Sequence, residues 1–323
     1  MTRTISIVAA VVAATVSSAA MAQETLRFGH VYETDSIYHQ AAEWAAAEIA
    51  ERTDGRYEVE VYPASSLGNE NDLFQGLSLG AVDLAFTGSF YASGISGPMA
   101  ISSAPFMFRD YDHWTAYRDS DVFAGIAEAF ENKSGHAVLG LTYYGARHLT
   151  ADREITSPAD MKGMKLRVPN APMYLLFPRS VGANPTPIAF AEVYLALQQG
   201  VVEGQENPLP TILAKKFYEV QSHIMLTGHL MDSLVTVAAG NRWSQLSAED
   251  KAIFEEVFGE AAEKASADVR DAEAALAERF ESEFGTTVVE VDREPFRAAM
   301  APLLEGDDMP WTAEQVEAVQ AIK

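Results

Sequence analysis

The sequence predicts an α/β protein of two lobes, with strands crossing between them and one long helix backing both. Three observations carry this. The first is the stretch Gly163 to Pro210. Lys165-Leu166-Arg167-Val168 alternates polar and apolar side chains and meets Pro169, as a short half-buried strand does. Ala189 to Gln199 carries apolar residues at helical spacing and stops at Gly200, where a helix C-cap sits; Val201-Val202-Glu203 then starts a further strand. The second observation is an upstream copy of this pattern. Arg56 to Pro63 alternates and ends in proline, Asn69 to Leu79 is helical, and Gly80-Ala81-Val82-Asp83 repeats Gly200-Val201-Val202-Glu203. A repeated strand–Pro–helix–Gly–strand unit is a fold-level signal and implies two lobes facing across a cleft. The third is the amphipathic run from Ser247 to about Phe284, opened by a Ser with Asp250 three residues on. Some 35 residues at about 1.5 Å each span about 50 Å, enough to reach both lobes.

The remaining elements follow in order. Thr25 to His30 alternates and is the first strand; Asp35 or Ser36 caps a helix over Ile37 to Arg52. Leu84 to Phe86 is a buried strand, and Thr87 to Pro98, rich in Gly and Ser, is a loop beyond a strand end, where α/β sheets bind ligands. Helices follow at Asp112 to Arg118 and Asp121 to Lys133. His136 to Tyr144 is a strand that leads into the first crossing between lobes. Ser157 to Met161 is a capped turn, Lys216 to Val220 is helical, Ser233 to Ala239 is the strand returning to the first lobe, and Thr287 to Glu290 is a last strand. The lobes are then 23–145 plus about 230–265, and 146–229 plus about 266–323.

Residues 1–22 read as a signal peptide. Arg3 is the basic start, Ile5 to Val16 the apolar segment, and Ala20-Met21-Ala22 the small-residue cleavage site. The apolar run is too short to span a bilayer, and no later segment is long and apolar enough. With 323 residues, 48% of them hydrophobic, the chain has material for two real cores. Its net charge is −23, which argues against nucleic acid and anionic lipid as partners but not against a small anion in a locally basic pocket. There is no cysteine, so the cores carry an exported chain without disulfides.

The candidate chemistry is recognition of an anion. Arg167 and Asn207 stand at strand ends of one lobe, and Arg147 follows Gly145 at the lobe crossing. An arginine's planar, permanently charged fork donates two parallel hydrogen bonds to a carboxylate. Asn207 adds a donor and an acceptor without a second charge. His30, at a strand end near the cleft, is placed to hydrogen-bond a ligand hydroxyl. Tyr143 and Tyr144 are wall residues. The seven histidines show no metal-ligand spacing, and there is no GxSxG elbow, Walker loop, GxGxxG or cysteine nucleophile. No metal, cofactor or catalytic group is therefore expected. The rival class is an exported enzyme acting on acidic sugars, with Glu33, Asp35 or His148 as acid or base.

At these residues the chain resembles the solute receptors of TRAP transporters, the family that binds C4-dicarboxylates and sialic acid. The resemblance rests on MKGMKLRVPN, VGANPTPIAFAEVYLALQQGVVEGQENPL and KFYEVQSHIMLTGH, and extends into the first lobe through LGNENDLFQGLSLGAVD and SAPFMFRDYDHW. It implies a two-lobed periplasmic binding protein that closes on an organic acid and docks on a sodium-driven membrane permease. It also implies site residues. The LRVP arginine, which grips the carboxylate, is Arg167; the G-x-R-x-x-T arginine is Arg147; the GQENP asparagine is Asn207; and the PxxF phenylalanine is Phe190. The first strand–helix loop, His30 to Ser36 with Asp35, and the LG turn with Glu70 face the ligand. Ser89 and Tyr91 read its hydroxyls, and Asn170 at the end of LRVPN joins the set. Sialic-acid receptors carry an acid and an arginine where this chain has Gly88 and Tyr91. The resemblance therefore points first to a hexuronate, aldonate or keto-sugar acid, with sialic acid, a C4-dicarboxylate and a hydroxysulfonate as alternatives.

Overall fold

The computed structural model describes residues 23–306 and 308–323; the expected signal peptide lies outside the described residues. The described chain forms one nine-stranded sheet with helices on its faces. The strands are β1 (Glu24–His30), β2 (Tyr57–Tyr62), β3 (Leu84–Gly88), β4 (Ala137–Ala151), β5 (Lys165–Val168), β6 (Asn184–Pro187), β7 (Gly204–Pro208), β8 (His223–Ala238) and β9 (Thr287–Val289). Their order is β2-β1-β3-β8-β4-β7-β5-β6, with β9 beside the start of β8. The outer trios are parallel, and the central pair β4 and β8 is antiparallel.

Those two central strands are the crossing elements, and both exceed the sequence expectation. β4 runs on from Tyr144 to Ala151, and β8 begins at His223 rather than Ser233. Register shifts near Gly140, Gly145 and His148 break the alternation by which a strand is recognised. Gly145 sits at the middle shift with φ +118°, and a Cβ there would press on the Glu273 carboxylate and on Pro208. The expected lobe limits at 145 and 230 fall inside these continuous strands, at Gly145 and beside its partner Asp232.

The internal repeat is present, with one correction. In each half a helix ends at a left-handed glycine, Gly80 or Gly200, and the next two amides return to one carbonyl, that of Gly76 or Ala196. The acid that follows clasps a strand residue both ways. Asp83 N–H donates to the Arg27 carbonyl and its carboxylate accepts the Arg27 N–H; Glu203 and Lys165 do the same. Lys165 is thus the counterpart of Arg27, and β5 of β1. The proline-ended counterpart of β2 is β6, closed by Pro187, because both lie outside the strand that carries the clasp. The expected pairing of β2 with β5 was one strand out of step.

The segment expected as a loop over Thr87 to Pro98 holds the end of β3, a turn of helix at Ser89–Ala92 and the start of a 3-10 helix, Gly97–Ser103. These elements are too short to display a period. The expected helix Ala189–Gln199 divides into a 3-10 turn, Phe190–Glu192, and a helix, Val193–Gln198. The long helix, Ala248–Phe284, is capped by the Ser247 hydroxyl accepting from Asp250 N–H. Its buried residues Phe254, Phe258, Ala261, Ala265 and Val269, and after a seven-residue step Leu276 and Phe280, keep to one helical face, and the helix packs along β4. A separate apolar cluster of Leu149, Met164, Leu166, Phe177, Met225, Phe296 and Met300 fills the β5–β7 side.

Candidate anion-binding cavity

Between the two halves of the sheet lies a cavity of about 310 Å³, walled by Tyr32, Tyr91, Tyr144, Tyr174 and Phe190, with Arg147, Arg167, Asn207 and Glu70 as its polar groups. Each half contributes. β1 leads into Val31 and Tyr32, the helix Glu70–Leu79 opens with Glu70 in its first turn, and β3 ends at Gly88. From the other half, β5 supplies Arg167 and leads into Pro169, and β7 supplies Asn207. Cross-lobe contacts close the rim: Asn71 Nδ2 donates to the Asn170 carbonyl (3.2 Å), and Lys215 pairs with Glu33 (2.5 Å) while resting on the Phe190 ring.

The two arginines differ in kind. Arg147, 1% exposed, is held within its own network. Its Nε and Nη2 grip the Glu206 carboxylate, Nη2 also donates to the Glu206 carbonyl, and Nη1 donates to Asp232 (2.9 Å). Of five N–H groups this leaves one on Nη1. Arg167, also 1% exposed, donates through Nε and Nη2 to a single carbonyl, that of Ile188 (3.0 and 2.7 Å). Its Nη1 is buried without any partner. Among the described residues no carboxylate forms a salt bridge with it, and burial lowers its pKa. A buried guanidinium with a vacant N–H edge, beneath the Phe190 ring, has the chemistry to donate to an anion.

Asn207 is also held in place by its neighbours. Its Oδ1 accepts from the Tyr144 hydroxyl (3.3 Å), and its Nδ2 donates to Gln205 (2.6 Å), which in turn donates to Thr150. Burial would push the Glu206 carboxyl up, but the Arg147 charge and hydrogen bonds from His229 and Arg147 outweigh it and hold it at about 2. That lowered value favours the fold above the ordinary glutamate range, and the contribution is lost as pH falls from about 4.5 to about 2. It is worth on the order of 3 kcal/mol. Glu206→Gln is expected to flatten the acid limb of a urea-stability-against-pH curve in that window. A curve parallel to wild type there would refute the assignment.

Of the residues singled out from the sequence, Arg147, Arg167, Asn207, Phe190, Glu70 and Tyr91 line the cavity. Four do not. His30 spends both ring nitrogens elsewhere: Nδ1 accepts the Tyr32 N–H and Nε2 meets His39 (3.1 Å), while burial lowers its pKa to about 3. It holds Tyr32 in place rather than facing the cavity. The Ser89 hydroxyl is bonded to Ser103 (2.7 Å), Asp35 is exposed at the turn before the first helix, and exposed Asn170 contributes its carbonyl to the rim. The residues missed were Tyr174 and Leu234, which have no motif beyond being aromatic or apolar; Tyr32 lies within the expected His30–Ser36 loop, Pro169 within LRVPN, and the expected wall residue Tyr144 also lines the cavity. Tyr174 donates to Asp232 (2.9 Å) and stacks edge-on against Phe90 across the cleft. A larger hollow of about 870 Å³ near Phe106 and Trp311 offers only Arg297 as a cation, half exposed and paired with Glu294.

Comparison with known proteins fits this geometry. The family described as bacterial extracellular solute-binding protein, family 7, matches residues 28–307. The chain belongs to this family. The receptor is 36% identical over 297 residues to the sialic acid-binding periplasmic protein of Vibrio cholerae, covering 91% of this chain and 92% of that one. It is 31% identical over 315 residues to the 2,3-diketo-L-gulonate-binding periplasmic protein of Escherichia coli, at 95% and 94% coverage. Among solved structures, a TRAP solute-binding protein of a Polaromonas species bound to D-erythronate superposes with a TM-score of 0.89 at 34% identity, covering 93% of this chain and 99% of that one. One from Roseobacter denitrificans with bound L-galactonate gives 0.86 at 34% identity, with the same coverage. The receptor shares their two-lobed fold, and the family consists of substrate-binding receptors rather than enzymes. No helix among the described residues is long and apolar enough to cross a membrane.

Proposed function

We propose that this receptor captures a small sugar acid, an aldonate or hexuronate, in the periplasm and delivers it to the membrane subunits of a sodium-driven TRAP permease. The vacant Nη1 edge of Arg167 carries the reading. It takes the ligand carboxylate, with the remaining Nη1 N–H of Arg147 as a second donor and Asn207 beside it. Phe190, Tyr32, Tyr91 and Tyr174 cover the carbon chain, and Glu70 and the Tyr91 hydroxyl meet its hydroxyls. The likeness to receptors solved with D-erythronate and L-galactonate favours a sugar acid as the ligand. The lobes hinge where β4 and β8 cross, so that ligand contacts from both stabilise the closed form.

A thermal-shift panel tests this with L-galactonate, D-erythronate, D-glucuronate, sialic acid, succinate and a hydroxysulfonate. A ligand at about 100 times its Kd adds about 2.7 kcal/mol to native stability. Galactonate, erythronate or glucuronate is expected to raise the unfolding temperature most. A panel in which no carboxylate raises it would overturn the reading; one led by succinate or sialic acid would overturn the sugar-acid assignment.

A further inference from the structure

Glu70 stands apart from the other carboxyls around the cavity. Glu206 and Asp232 are both paired with Arg147, whereas Glu70, 7% exposed, has no salt-bridge partner among the described residues. The groups facing it are the Tyr91 hydroxyl from the helix Ser89–Ala92, Tyr32 from the turn after β1, Arg167 from β5 and Arg147 from β4. Its own backbone N–H, in the first helical turn, also points to it. Asp72 in the same turn is exposed and engaged with the Asn69 N–H.

The charges decide what binding demands. Arg147 and Arg167 are positive; Glu70, Glu206 and Asp232, if all ionised, leave the empty cavity with one net negative charge. His148 and His229, behind it, are kept neutral chiefly by burial. A ligand carboxylate would bring the buried cluster to two. It would also neutralise Arg167, which together with Arg147 favours an ionised Glu70. Like charges confined in one desolvated space do not both stay ionised.

We propose that the cavity takes its ligand carboxylate together with one proton, which settles on Glu70. The inference rests on the carboxylate reading above. The proton comes from solvent, no covalent bond changes, and the proton leaves with the ligand. Protonation turns Glu70 from an acceptor into an O–H donor, so the first lobe presents a donor to a ligand oxygen and discriminates against a bare methylene in its place. Burial already raises the Glu70 carboxyl above its ordinary range in the empty cavity.

Titration calorimetry tests this with the panel acid that stabilises most, beginning with L-galactonate and D-erythronate, in buffers of contrasting ionisation enthalpy. The heat is expected to vary linearly with buffer enthalpy, with a slope reporting uptake of up to one proton per ligand. Affinity is expected to fall by up to about tenfold per pH unit as pH rises above the free Glu70 pKa. In wild type labelled with carbon-13 at the glutamate carboxyls, saturation with the same acid should move one resonance to the protonated position. That resonance is assigned by its absence from Glu70→Gln, which needs only to fold. Binding with a buffer-independent heat, or uptake by a glutamate other than Glu70, overturns this inference alone. Failure of every carboxylate to bind overturns it together with the reading beneath it.

Discussion

Arg167→Met is expected to weaken carboxylate binding by roughly 30-fold to several thousandfold while leaving the ligand-free protein no less stable. The two halves of this expectation share one cause. Without ligand the guanidinium is buried, lacks a carboxylate and has an unpartnered Nη1, so the fold bears its desolvation without a compensating ion pair. Methionine keeps the unbranched stem beneath Phe190 and removes that cost; the loss is two hydrogen bonds to the Ile188 carbonyl. With ligand, truncating one partner of a desolvated charge pair costs about 2–5 kcal/mol, much of it from stranding the other charge. Arg167→Lys should also lose affinity, because an ammonium cannot present two parallel donors. Calorimetry with a binding sugar acid, and thermal melts without it, provide the two readouts. Binding by Arg167→Lys within about twofold of wild type, a difference of roughly 0.4 kcal/mol, would refute the clamp. A strongly destabilised ligand-free Arg167→Met would make Arg167 structural.

Arg147→Met should show the reverse. Glu206 and Asp232 are buried at 2% and 0% exposure, and Arg147 is their common cation. Removing it leaves two buried carboxylates without their ion pair, and breaking such a network costs about 3–5 kcal/mol of stability. Urea unfolding of the ligand-free protein should register the loss. Adding Glu206→Gln and Asp232→Asn should recover part of it, since the stranded charges go with the arginine. A loss under about 1 kcal/mol would show that the network contributes little to the fold. The contrast matters because spacing alone made both residues look like ligand arginines. Only the partners separate a satisfied guanidinium from a vacant one.

The correction at His30 has a similar origin. A strand-end histidine beside a cleft satisfies every local rule for a ligand contact. Its ring is nevertheless turned onto Tyr32 and His39, so the residue two positions on reaches the cavity in its place. Ser89 likewise sits next to cavity-lining Gly88, yet its hydroxyl points back to Ser103. In a turn of helix, neighbours in sequence face different directions, and short elements leave no period from which to read them.

What the sequence by itself determined is local chemistry with a clear period or cap. That covers the helix from Ile37, the long helix from its Ser247 cap, the glycine-ended units at Gly80 and Gly200, and the Arg167–Pro169 strand end. These features depend on backbone preferences and side-chain spacing, and both act over a few residues. Only the tertiary structure decided the span of β4 and β8, whose register shifts erase the two-residue alternation, and that the counterpart of β2 in the repeat is β6 rather than β5. It also decided the charge state of the site. Whether an arginine is paired depends on acids that lie 59 and 85 residues away along the chain for Arg147, and on no acid forming a salt bridge with Arg167 among the described residues. Coulomb interactions follow distance in space, and no spacing in the sequence encodes that distance.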